Sequence, residues 1–107
     1  MREGYIVSRI MKAVRKKYPA AYVRKMSDRF TRGLPDVLIV ALRSYNTTLG
    51  YSKKSIVLFV ETKTDKGVCS KIQLREHELI HDAGAVCIVA RNVATVLAKL
   101  EEMGAVA

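Results

Sequence analysis

At 107 residues the chain has the size of one compact domain, so a single core spanning 1–107 has to support any site it carries. Half of the residues are hydrophobic and 27% are charged, which excludes a disordered tail, and the longest apolar stretches, Val37 to Leu42 and Ile56 to Val60, are far too short to cross a bilayer. The net charge of +9 is lopsided: residues 1–54 hold 13 Lys and Arg against 3 Asp and Glu, whereas residues 55–107 hold 6 against 7.

From Glu3 to Tyr18, Ile6, Ile10, Met11, Val14 and Tyr18 recur at three- and four-residue steps with Arg9, Lys12, Arg15, Lys16 and Lys17 between them, which predicts an amphipathic basic helix ended by Pro19. Ala21 to Met26 alternates as a short strand. The polar, glycine-containing segment Ser27 to Pro35 carries Arg29 and Arg32 and leads into Asp36 to Leu42. The β-branched and leucine content of that run suits a central strand covered on both faces. Residues 43–54 form a long polar connection holding Tyr45, Tyr51, Lys53 and Lys54, the kind of loop that is often functional or simply solvated.

Ser55 to Lys63 alternates, with Ile56, Leu58, Val60 and Thr62 on one face and Val57, Phe59, Glu61 and Lys63 on the other. Ser70 and Gln73 match a capping box, and Ile72, Leu79, Ile80 and Ala83 are expected to form the apolar side of the helix that follows, which Gly84 ends. Ala85 to Ala90 reads as a strand, and Asn92 caps a last helix with Val93, Val96, Leu97 and Leu100 on its apolar face. The order α-β-β-β-α-β-α predicts an α/β three-layer sandwich with a mixed central sheet. Cys69 and Cys87 have no metal-ligand spacing and read as reduced structural thiols, although a thiol at the helix start of Cys69 can be somewhat acidified. No signal-peptide pattern is evident at the N-terminus, so an intracellular protein is expected.

If the second and third strands form a hairpin, Leu42 pairs with Ser55 and the same register sets Asp36 opposite Glu61. Opposed carboxylates repel, so a bound cation is the natural compensation, and hard oxygen ligands select Mg²⁺ or Mn²⁺ over zinc. The backbone carbonyl of Thr62 is a further candidate ligand. Lys63 shares a face with Glu61, where an ammonium can orient an attacking water and offset charge on a phosphate. Taken one at a time, these residues also fit a turn aspartate and a solvent-facing salt bridge. Together with the basic N-terminal half, whose charge suits a nucleic-acid backbone, they point to phosphodiester hydrolysis.

Gly33-Leu-Pro-Asp36, then Glu61-Thr-Lys63, then Gln73 resemble the PD-(D/E)XK nuclease superfamily. More narrowly, they resemble its VRR-NUC (virus-type replication-repair nuclease) branch, in the stand-alone phage or bacterial form. The resemblance spans nearly the whole chain and implies a restriction-endonuclease-like fold. It further implies Asp36 and Glu61 as metal ligands, Lys63 as the catalytic lysine, Gln73 as a helix residue near the site and Glu3 as the acid of the first helix. A solvated helix-start glutamate and a capping glutamine are the competing roles of the last two. The expected activity is that of a Mg²⁺-dependent endonuclease on branched, Holliday-junction-like DNA. A domain this small suggests a homodimer making paired cuts. Lys16, Lys17, Arg29, Arg32, Lys53 and Lys54 are the cations expected on DNA, and the cytoplasm, or the host cytoplasm for a phage protein, is the expected location.

Two other readings stand beside this one. A non-catalytic nucleic-acid-binding module could keep the same fold. His77-Glu-Leu-Ile-His81 is a literal H-E-x-x-H, the pattern of zinc peptidases, although no third ligand is convincingly supplied and the histidines also suit the edge of the apolar face.

Overall fold

The computed structural model describes residues 3–26, 32–43 and 54–107. Its elements follow the order read from the sequence: α1 (Glu3–Lys17), β1 (Tyr22–Lys25), β2 (Val37–Leu42), β3 (Ser55–Thr62), α2 (Lys71–Asp82), β4 (Val86–Ala90) and α3 (Val93–Glu102). Arg29 and Lys53, two of the expected DNA-binding cations, lie outside the described residues, as do Tyr45 and Tyr51 of the long connection.

The four strands form one sheet in the order β1-β2-β3-β4. β1 and β2 pair antiparallel, as do β2 and β3, whereas β3 and β4, joined through α2, run parallel. On one face, Val37, Ile39, Ala41, Ile56, Leu58 and Val60 are buried against Ile6, Ile10 and Val14 of α1 and Val96 and Leu100 of α3. Glu61 points to the opposite face by strand alternation and meets His77 of α2 there, so helices cover both faces of a mixed sheet.

β2 and β3 keep the expected register from Leu42↔Ser55 to Val37↔Val60. The ladder also reaches one pair further into the connection than its polar composition suggests, since the Arg43 N–H donates to the Lys54 carbonyl. At the other end the strict alternation fails. The N–H of Asp36 donates to the carbonyl of Val60, the residue already paired with Val37, so two residues stand against one, as in a β-bulge. Asp36 is therefore displaced from the direct Cα pairing with Glu61 that the register alone implies.

α2 also departs from expectation. Its capping box is formed, with the Ser70 hydroxyl accepting from the Gln73 N–H and Gln73 Oε1 accepting from the Ser70 N–H. The helix is rotated so that His77 is its buried residue, while Ile72 and Leu79 are 46% and 44% exposed and Ala83 faces out. Of the expected apolar side, Ile80 alone is half-buried. The apolar residues on α2 sit on several sides of the helix, so periodicity did not fix its rotation; docking against β3 and β4 did.

Candidate active site

The site lies where β2 begins and β3 and β4 end. The turn through Gly33 delivers the chain to it: Gly33 has φ 81° and packs so closely on α2 that a Cβ would stand 2.8 Å from the Ile72 carbonyl oxygen. Buried Pro35 follows, and the bulge then fixes the Asp36 backbone, whose carbonyl accepts from the Met26 N–H while its own N–H is held by Val60. Half-buried Asp36 projects its carboxylate at Thr62, and Oδ2 accepts both the Thr62 N–H at 2.8 Å and the Thr62 hydroxyl at 2.7 Å.

Glu61 is 1% exposed, an extreme position for a carboxylate. Its pKa is pushed up to about 8, first by burial, then by the hydrogen bond and charge of the neighbouring Asp36 carboxyl, with Glu3 adding to the rise and Lys63 opposing it. Oε1 of Glu61 is buried without a hydrogen-bond partner, and so is Nε2 of His77, which lies 3.5 Å away. Burial, followed by the neighbouring His81 and Lys63, holds the His77 pKa below its ordinary value, so the imidazole is the neutral form at pH 7.

Lys63 is 8% exposed, its N–H donating to the Ala90 carbonyl and its ammonium 3.8 Å from Glu3 Oε1. Glu3, at the first turn of α1, thus reaches the same cluster as Asp36, Glu61 and Lys63. Gln73 is half-buried at the start of α2, with its side-chain oxygen engaged in the capping box. Its capping role is the one observed. Arg32 is exposed in the turn before Asp36, at the site end of the sheet.

The remaining expected DNA cations sit elsewhere. Lys16 and Lys17 close α1, about 20 Å along the helix from Glu3 at its 1.5 Å rise per residue. Lys54 lies six residues before Val60, about 20 Å away at the strand rise. Sequence reasoning missed Arg91 and gave His77 only a flanking place. Arg91 follows β4 and donates to the carbonyl of Thr64, bracing the segment just after Lys63. The parallel pairing Thr62↔Ala90 brings these together, and only a β3-to-β4 register could have revealed it.

The H-E-x-x-H pattern does not form a zinc site. His77 faces Glu61, whereas His81 Nε2 accepts the Cys87 N–H at 3.1 Å, and Glu78 is exposed beside Arg75 at 3.5 Å. Among the described residues, no three His, Cys, Asp or Glu side chains gather as a metal-holding group. Two neighbouring carboxylates are oxygen donors of the kind a hard cation takes, and the partnerless Glu61 oxygen would be an acceptor for it. Nor is Cys69 acidified at its helix start: burial and nearby Glu61 raise its pKa, and Cys87 is pushed up to about 12, chiefly by burial.

A solved structure described as "VRR_NUC domain" is 30% identical, with a TM-score of 0.60 over 89% of this chain and 92% of that one. The chain belongs to the VRR_NUC domain family. A second solved structure, "VRR_NUC domain protein", superposes with a TM-score of 0.71 over 96% of this chain and 88% of that one; at 16% identity it shows the fold alone. No family sequence model matches the chain, and no curated protein matches it. A VRR_NUC domain is a nuclease-type domain of the PD-(D/E)XK superfamily, and the α-β-β-β-α-β-α order found here is that of its fold.

Proposed function

We propose that this VRR_NUC domain is a Mg²⁺- or Mn²⁺-dependent DNA endonuclease selective for branched DNA, with Asp36, Glu61 and Lys63 as its catalytic set. The observation that carries the reading is a buried carboxylate, Glu61, whose Oε1 has no hydrogen-bond partner, with Asp36 beside it and Lys63 two residues on. Asp36, Glu61 and the carbonyl of Thr62 would hold the cation, which when bound supplies Lewis-acid stabilisation of charge on the phosphate and acidifies water. Lys63 orients the attacking water and offsets charge on the pentacoordinate phosphorus. Glu3 holds the lysine ammonium in place from α1, and Thr62 fixes the Asp36 carboxylate through Oδ2. Gln73 caps the helix that carries His77 to Glu61.

DNA is the proposed substrate because α1 and β1 are rich in Arg and Lys and Arg32 stands in the turn before Asp36. A homodimer making paired cuts is the proposed assembly. It is supported by the small size of the chain and by the 46% and 44% exposure of Ile72 and Leu79, seven residues apart and so on one side of α2, apolar surface that a second copy would cover. Among the described residues no helix is long and apolar enough to cross a membrane.

The deciding experiment is a cleavage assay with Mg²⁺ or Mn²⁺ on four-way junction, flap, duplex and single-stranded DNA, comparing wild type with Asp36→Asn and Lys63→Ala. Cleavage by the wild type, strongest on branched DNA and lost in both variants, is expected. Binding without cleavage on every substrate would leave a nucleic-acid-binding module of the same fold. Light scattering tests the dimer separately.

A further inference from the structure

We infer that the DNA strand leaves the catalytic cluster along one face of α1, its phosphates held by Lys66, Arg91, Arg9, Lys12 and Lys16. The inference rests on the nuclease reading and adds the binding surface to it. Three adjoining depressions define the path. The first, of about 320 Å³, is walled by Thr64, Asp65, Lys66, Arg91 and Ile6, directly after Lys63 in the chain. It shares Ile6 and Arg91 with a second, of about 420 Å³, at the start of α3. The second shares Arg9 and Val93 with a third, of about 510 Å³, which runs along α1 past Lys12 to Lys16.

The charge along this path is nearly of one sign. Five cations line it, and Asp65 is the sole acid among its lining residues. The N-terminus of the ten-residue α3 adds its positive end beside Arg91. Other cations of the basic half are engaged in the fold: Arg15 donates to the Val23 carbonyl, Lys17 lies over the Tyr18 ring and Arg24 over Tyr22. Arg9, Lys12 and Lys16 are exposed on one face of α1 at three- and four-residue spacing, with the Arg9 guanidinium 5.7 Å from the centre of the Tyr5 ring, which lines the same depression. From Arg9 to Lys16 the helix rises about 10 Å, which matches roughly three base-pair steps of 3.4 Å along the axis of a DNA duplex. Lys16, remote from the cluster when considered alone, becomes the far end of a continuous track.

The test is binding of a fluorescent 20-base-pair duplex in EDTA, so that no cleavage intrudes, across about 50 to 200 mM salt. Arg9→Gln/Lys12→Gln is compared with Arg75→Gln/Lys99→Gln, which removes the same charge from ion pairs on α2 and the outer side of α3. The first pair should flatten the slope of log affinity against log salt by about 2 and weaken binding equally for unrelated sequences. The second should leave the slope as in wild type. Equal slopes in the two variants, or no duplex binding by wild type, would overturn the path. Thermal unfolding monitors folding, and Lys12→Glu alone serves if the double variant unfolds. Wild-type cleavage with unchanged binding in the first pair would overturn the path and spare the nuclease. Binding along the path with no cleavage of any DNA would do the reverse.

Discussion

One oxygen of Asp36 accepts two hydrogen bonds from Thr62, from its N–H at 2.8 Å and its hydroxyl at 2.7 Å. The residue between Glu61 and Lys63 therefore holds the carboxylate on the neighbouring strand, and the bulge at Asp36 is the backbone adjustment that accompanies this contact. Thr62→Val keeps the shape and removes the hydroxyl donor. It should lower stability by about 1.5 to 3 kcal/mol, the range for a hydrogen bond to a charged group, and Thr62→Ser should recover most of it. Urea unfolding decides the matter; a valine variant as stable as wild type would show the hydroxyl to be idle.

Asp36→Asn and Lys63→Ala should each reduce cleavage about 100-fold or more while leaving the fold intact, as expected when a residue acts on the reacting groups. Single-turnover kinetics with circular dichroism on the same samples measures this. Full activity in Lys63→Ala would remove the lysine from the mechanism.

Glu61 and His77 make the stability of the metal-free protein depend on pH. Unfolded Glu61 ionises near 4.5 and folded Glu61 near 8, so between these values the folded state holds the extra proton and stability falls as pH rises. His77, depressed below 6.5, acts in the opposite direction below that value, so the fall should be cleanest from pH 6.5 to 8. Its slope should reach up to about 1.4 kcal/mol per pH unit. Glu61→Gln should abolish the fall and be the more stable protein at pH 8 in EDTA. Added Mg²⁺ or Mn²⁺ should stabilise wild type at pH 8 and leave Glu61→Gln unmoved. A flat wild-type profile in urea titrations at pH 6.5 and 8 would refute this account of the buried carboxylate.

Gly33 and Gly84 both have positive φ, 81° and 92°, yet their surroundings differ. An alanine at 84 meets nothing within 4 Å, whereas at 33 it meets the Ile72 backbone at 2.8 Å. Gly84→Ala should therefore cost only the backbone term, about 1 to 2 kcal/mol, and Gly33→Ala clearly more, with loss of cleavage because the turn positions Asp36. Equal unfolding midpoints for the two variants would show that the Gly33 turn yields.

The sequence itself determined the element order, the strands and most of the β2–β3 register. Period-two alternation in Ser55 to Thr62 and the Ser70-Gln73 and Asn92 caps are local signals that tertiary packing did not override. Asp36, Glu61 and Lys63 were legible for the same reason, since two strands of known register bring them to one end. Three things were left to the tertiary structure. The bulge is set by a hydrogen bond from the Asp36 N–H to the Val60 carbonyl, between residues far apart in the chain. The rotation of α2, which buries His77 against Glu61, was settled by docking because apolar residues lie all around that helix. The basic path from Arg91 to Lys16 depends on how α1 and α3 lie side by side, and no spacing along the chain encodes the distance between two helices.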